Sequence, residues 1–209
     1  MSDTTNGKIQ NLLAQASRQS DSAKLENSSV AKATRVFPTD EEAKKAFSRL
    51  HAKLFSIERW ESESVITSFE LFDENGIPQP KKNARGGDFI KSVLPGSGKD
   101  DWVKIIEIYE TTDEIVLTVQ PSYNPTAKTE KSTTSHFFTA DATNNFCLQR
   151  DGAKVNFYVI GLHERSNVED TGGVLETVRN VATANIGRFF GIQKIQWQTF
   201  CENFIEIEE

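Results

Sequence analysis

The sequence predicts an α+β fold: a mainly antiparallel, strongly curved or barrel-like sheet of about seven strands, with one N-terminal helix and two C-terminal helices packed on it. Three observations predict this. One capped helix signal precedes a series of short β-branched and aromatic segments separated by turns. Two apolar stripes at helical spacing follow that series. Within the strand series, Trp102–Tyr109 and Ile115–Gln120 carry apolar residues on both faces. A strand buried on both sides needs a covering layer on each face or a closed barrel.

Residues 1–36 read as a polar arm, flexible or ordered by a partner, ahead of a single α+β domain at 37–209. The arm is rich in Ser, Thr, Asn, Gln and Ala. Its five basic residues (Lys8, Arg18, Lys24, Lys32, Arg35) outnumber three acidic ones (Asp3, Asp21, Glu26). Its one apolar stripe is Ile9, Leu12, Leu13 and Ala16, and an isolated helix that short is marginal in water.

The domain opens with Thr39-Asp-Glu-Glu42, a capping box in which the Thr39 hydroxyl accepts from the Glu42 amide. Ala43, Ala46, Phe47, Leu50, Leu54 and Ile57 then share one helix face, with His51 beside it as a packed or surface residue. A strand follows at Val65–Phe72, closed by Asp73-Glu-Asn-Gly76. Ile77–Gly87 holds Pro78, Pro80, Lys81, Lys82 and Arg85 and reads as an exposed basic loop that keeps an edge strand soluble. Asp88–Leu94 is a strand, Pro95–Asp101 a loop, and the two doubly apolar strands come next. Further strands are expected at about Thr134–Phe138, Asn145–Arg150 and Ala153–Leu162, the last two joined at Asp151-Gly152, a two-residue hairpin signal. Val174, Leu175, Val178, Ala182, Ile186 and Phe189 mark one C-terminal helix. Ile195, Trp197, Phe200, Cys201, Phe204 and Ile205 mark the other.

Composition excludes several functions. The net charge of −6 over 209 residues argues against general affinity for nucleic acid or anionic membranes, both of which require a positive field. Nothing resembles a signal peptide or a spanning helix, so a cytoplasmic protein is expected. Two cysteines, Cys147 and Cys201, are too few for a disulfide framework and have no metal-type spacing; they read as free thiols, with a single bridge between them as the alternative.

Gly96-Ser-Gly98-Lys99 resembles a phosphate loop and fails as one. Val93 stands where the first glycine belongs, Asp100 where Ser or Thr should hold magnesium, and a strand follows instead of a helix. Zinc needs convergent ligands. With residues pairing across Asp151-Gly152, His163 faces Ala140, which leaves His136 roughly 13 Å away along the strand. No metal site and no cofactor are expected. No nucleophile elbow occurs. His163-Glu164-Arg165-Ser166-Asn167 reads as a solvated strand end, since His163 and Glu164 point to opposite faces of a strand. Arg179, Asn180, Thr183 and Gly187 beside the penultimate stripe read as tight helix docking on the sheet.

The order helix, antiparallel sheet, long C-terminal helix resembles helix-grip ligand-binding domains in architecture. The extra terminal helix departs from that pattern, and no residue motif or function is carried over.

The function expected from these features is that of a non-catalytic interaction or assembly subunit docking on a protein partner through its arm. Ile9, Leu12 and Leu13 would be the anchors, supported by Lys81, Lys82 and Arg85 in the basic loop. The alternative is a small apolar ligand-binding protein or enzyme with a cavity between the sheet and the C-terminal helix. Its polar handles would be Tyr109, His136, Tyr158 and His163.

Overall fold

The structure, a computed structural model, describes residues 7–21, 28–63, 68–93, 100–127, 139–164 and 196–207. Seven described strands form one curved antiparallel sheet: β1 (Ser29–Val36), β2 (Ser68–Phe72), β3 (Phe89–Val93), β4 (Asp100–Glu110), β5 (Glu114–Pro121), β6 (Thr143–Asp151) and β7 (Lys154–Leu162). Their spatial order is β1-β7-β6-β5-β4-β3-β2, so the first strand pairs with the last while the others run as a meander. Three helices lie on it among the described residues: α1 (Lys8–Asp21), α2 (Asp40–Phe55) and α3 (196–204).

The capping box forms as the sequence expects. Thr39 accepts from the Glu42 amide at 3.2 Å, and Ala43, Ala46, Phe47, Leu50 and Leu54 are buried along one face of α2. A 3-10 turn, Ile57–Glu63, follows directly and sets the Trp60 indole into the core, where Nε1 donates to the Leu54 carbonyl.

The two faces of the sheet are covered separately. The inner face carries α2, α3 and Trp60, packed on Ala31, Ala33, Ile105, Ile115, Leu117, Val119, Phe146, Leu148, Val155, Phe157 and Val159. The outer face carries α1, whose Ile9, Leu12 and Ala16 pack on Val116, Cys147, Tyr158, Ile160 and Leu162. Both layers are needed because β5 is apolar in consecutive positions, and Ile115, Val116 and Leu117 are all buried.

These facts correct the arm. Residues 8–21 form a helix on the outer face and Ser29–Val36 is an edge strand with eight residues in register against β7. The strand alternates small apolar with polar residues, and Ala31 and Ala33 face inward, where short side chains leave room for the rings of α3. The exposed rim of β1 is met by Gln198 of α3. Its amide donates to the Lys32 carbonyl at 3.0 Å and accepts from the Lys32 N–H at 3.3 Å, which occupies edge groups that could otherwise template another strand.

The hairpin between β6 and β7 also differs from expectation. Asp151 pairs with Lys154 and Cys147 with Tyr158, so the loop residues are Gly152 and Ala153. Gly152 has φ +56, as the first loop position of a type II′ turn requires. The register moves by two residues, so every side chain keeps its expected face. The strand expected at Thr134–Phe138, the helix expected from Val174 to Phe189 with Arg179, Asn180, Thr183 and Gly187, and residues 94–99 lie outside the described residues, as does His136.

Candidate functional site

Register lays out the inner face as rows across the sheet. One row is Ala31, Val159, Phe146 and Leu117; the next is Ser29, Gly161, Asn144, Val119 and Ile105. Rows on one face are separated by two residues, roughly 7 Å. The first row lies under a cluster of rings. Trp60 meets Phe146 at 4.5 Å between centroids and Phe200 at 5.7 Å, and Trp197 stands edge-on to Phe146 at 5.5 Å. Farther along α3, Phe204 stacks on Phe157 at 4.0 Å. The space directly beneath 200–204 is therefore filled by rings.

The second row is where the chemistry changes. Leu162 ends β7, and His163 has φ +55, a left-handed conformation uncommon for a side-chain-bearing residue. Glu164 comes back over the sheet, and its carboxyl occupies the space that a side chain at Gly161 would take, with Ser29 Oγ 2.6 Å from that same position. Glu164 is only 1% exposed. This corrects the expectation of a solvated strand end. Burial pushes its pKa up to about 7, and the Ser29 hydroxyl beside it pulls in the opposite direction. Its Oε1 has no hydrogen-bond partner. The indole Nε1 of Trp197, above the neighbouring row, is likewise buried without one. A carboxyl titrating near neutrality can accept or donate a proton or a hydrogen bond.

The residues singled out from sequence go to different places. Tyr158 is buried beneath α1 on the outer face, and Tyr109 packs at the margin of the same cluster. Both are on the side of the sheet away from α3. His163 sits at the end of α1. Its backbone N–H donates to Gln19 Oε1 at 3.1 Å and its ring Nε2 lies 3.0 Å from Gln19 Nε2. Ile9 and Leu12 are buried, with Leu13 partly so. Lys81 and Lys82 line a groove of about 150 Å³ with Glu58, Phe69, Pro78 and Pro80, while the Arg85 N–H donates to Asp88 Oδ2. Cys147 and Cys201 are free and buried, which pushes both thiols upward, Cys201 to about 12. Among the described residues, no three His, Cys, Asp or Glu side chains are grouped to hold a metal ion, and no helix is long and apolar enough to cross a membrane.

Glu164, Ser29 and Gly161 were not found from sequence as a group. The available signal was a Gly three residues before an acid at the end of an apolar strand, which is weak without knowledge of the pairing strand.

No family model and no curated protein matches the sequence. Among solved structures the chain is similar to a hypothetical protein from Helicobacter pylori, at 9% identity over 86% of this chain and 93% of that one, with a TM-score of 0.48. It is similar to the Zhui aromatase/cyclase from Streptomyces sp. R1128, at 8% identity over 87% and 96%, with a TM-score of 0.43. It is also similar to major latex-like protein 151 from Panax ginseng, at 11% identity over 80% and 97%, with a TM-score of 0.37. Identity at this level bears on fold alone.

The expectation of an assembly subunit docking through its N-terminal arm is overturned. The anchors Ile9 and Leu12 are buried in the chain's own outer core, packed on Val116, Cys147, Tyr158 and Ile160, and so are not free to dock on a partner.

Proposed function

We propose that this chain binds a small, largely apolar molecule on the inner face of its sheet. The ligand would lie along the row Ser29, Gly161, Asn144 and Val119, at the border of the ring cluster rather than beneath 200–204. The observation that carries this reading is the buried Glu164 carboxyl with its unpartnered Oε1 on that face. Buried polar atoms in folded proteins almost always have a partner, and an exception points to a function or a bound group. The Trp197 indole, also unpartnered, stands against Phe146 over the adjoining row as a second free polar group. The rings of Trp60, Phe146 and Trp197 supply an apolar wall. A few convergent polar groups on an apolar lining is the usual make-up of a small-molecule site.

Trp197 and Trp60 make the site self-reporting. Titration with apolar ring compounds should change tryptophan fluorescence with one-to-one stoichiometry by native mass spectrometry. Val119→Phe, which enlarges a side chain in the same row, should weaken that binding while circular dichroism stays unchanged. Binding that ignores Val119→Phe, or no binding by any apolar compound, would refute the reading.

A further inference from the structure

We infer that the molecule bound on this inner face is an apolar amine whose ammonium pairs with the carboxylate of Glu164. The inference rests on the proposed inner-face site and specifies its ligand. Three independent features favour a cation over a neutral or acidic group.

First, the Glu164 Oε1 has no hydrogen-bond partner, and the side-chain hydrogen bond that its carboxyl does receive comes from the neutral hydroxyl of Ser29. The neighbours on its own row are a hydroxyl at Ser29, an absent side chain at Gly161 and an amide at Asn144. A neutral alcohol would satisfy the geometry with Glu164 protonated but would gain no charge pairing from it. An ionised carboxylic acid would either set two like charges together or require Glu164 to keep its proton, so it gains no charge pairing either. An ammonium supplies a donor and the missing charge in one group.

Second, the adjoining surface is aromatic. Trp60, Phe146, Trp197 and Phe200 form a continuous cluster of rings with centroids 4.5 to 6.2 Å apart. Ring faces attract cations as well as apolar skeletons. The chain already uses this contact elsewhere, with Lys53 Nζ 5.0 Å from the Phe204 centroid. Third, the net charge of −6 draws cations and repels anions during approach.

Association is non-covalent and its proton balance is simple. The amine arrives as ammonium, Glu164 ends as carboxylate, and any proton it held passes to solvent.

The test uses the full chain and three probes of one skeleton: 1-naphthylmethylamine, 1-naphthalenemethanol and 1-naphthoic acid, compared by calorimetry at pH 7 in low and high salt. The amine should bind about tenfold or more tighter than the alcohol, with the acid weakest. The preference should survive high salt, because a buried pair is little screened. Glu164→Gln should erase the preference while alcohol binding persists. If the alcohol binds, is weakened by Val119→Phe, and the amine has no advantage, the amine assignment is wrong and the inner-face site stands. If high salt removes the advantage, surface attraction explains it and the assignment is again wrong. If none of the three binds, the inner-face reading itself fails and the assignment with it.

Discussion

Glu164 is an acid placed where its ionised form is unwelcome, and that has a consequence for stability. Its pKa rises from an ordinary 4.5 to about 7 in the folded chain. Between those values the folded state holds a proton that the unfolded state has released. Stability from this group is therefore full below pH 4.5, declines as pH rises toward 7, and is flat above. The decline amounts to roughly 3 kcal/mol. Urea denaturation at pH 5 and pH 8 should show that loss in the wild type and a flatter response in Glu164→Gln. Parallel profiles for the two proteins would mean that Glu164 is not desolvated. Gly161 offers a second check, since an added Cβ meets the Glu164 carboxyl and the Ser29 hydroxyl. Gly161→Ala should cost about 1–3 kcal/mol, and noticeably less in a Glu164→Ala background, because the carboxyl in contact is then gone.

Elements divide the two faces of the sheet between them, and α1 shows what that division does. Its stripe was legible in the sequence, but its destination was not, because Ile9 and Leu12 could equally have met another chain. The outer face decides the matter: Val116, Cys147, Tyr158 and Ile160 are apolar and need a cover. Leu12→Asp, which puts a charge into that contact, should destabilise by about 3 kcal/mol or more. It should also make Cys147 react with a thiol reagent that leaves the native protein untouched, since the thiol is buried there and pushed upward by desolvation. A Cys147 that reacts equally fast in both proteins would show that α1 does not shield it. At the other helix, Lys53 on α2 donates to the Phe204 and Glu206 carbonyls. A cation at a helix C-terminus is favourably placed, and here it ties α2 to α3.

At the scale of the whole molecule, the closure of β1 against β7 brings the two ends of the sheet's sequence together. It also places Ser29 beside Gly161, so the candidate site exists only once the most distant pairing has formed. The stacked pair Phe157 and Phe204 holds α3 on the sheet two rows from Gly161. Phe204→Ala should lower unfolding free energy by about 3–5 kcal/mol, measured by urea denaturation. It should also weaken ligand binding, because Trp197 depends on α3 for its place. A loss of stability with undiminished binding would separate α3 from the site.

Local chemistry by itself determined the capped α2, the meander from β2 to β5, the need for a cover on both faces, and the hairpin between β6 and β7 to within two residues. These rest on side-chain period, capping geometry and turn residues, all of which act over a few positions. Strand β1 escaped because Ala31 and Ala33 are poor strand formers on their own, and their smallness answers to the rings of Phe200 and Phe204, far along the chain. Glu164 escaped because an acid between His163 and Arg165 reads as solvated. Its burial comes from a left-handed turn, a missing side chain on its own strand and a hydroxyl on another. Only the tertiary structure decides such a site, because desolvation depends on what the fold brings over a group and not on the group's neighbours in the chain.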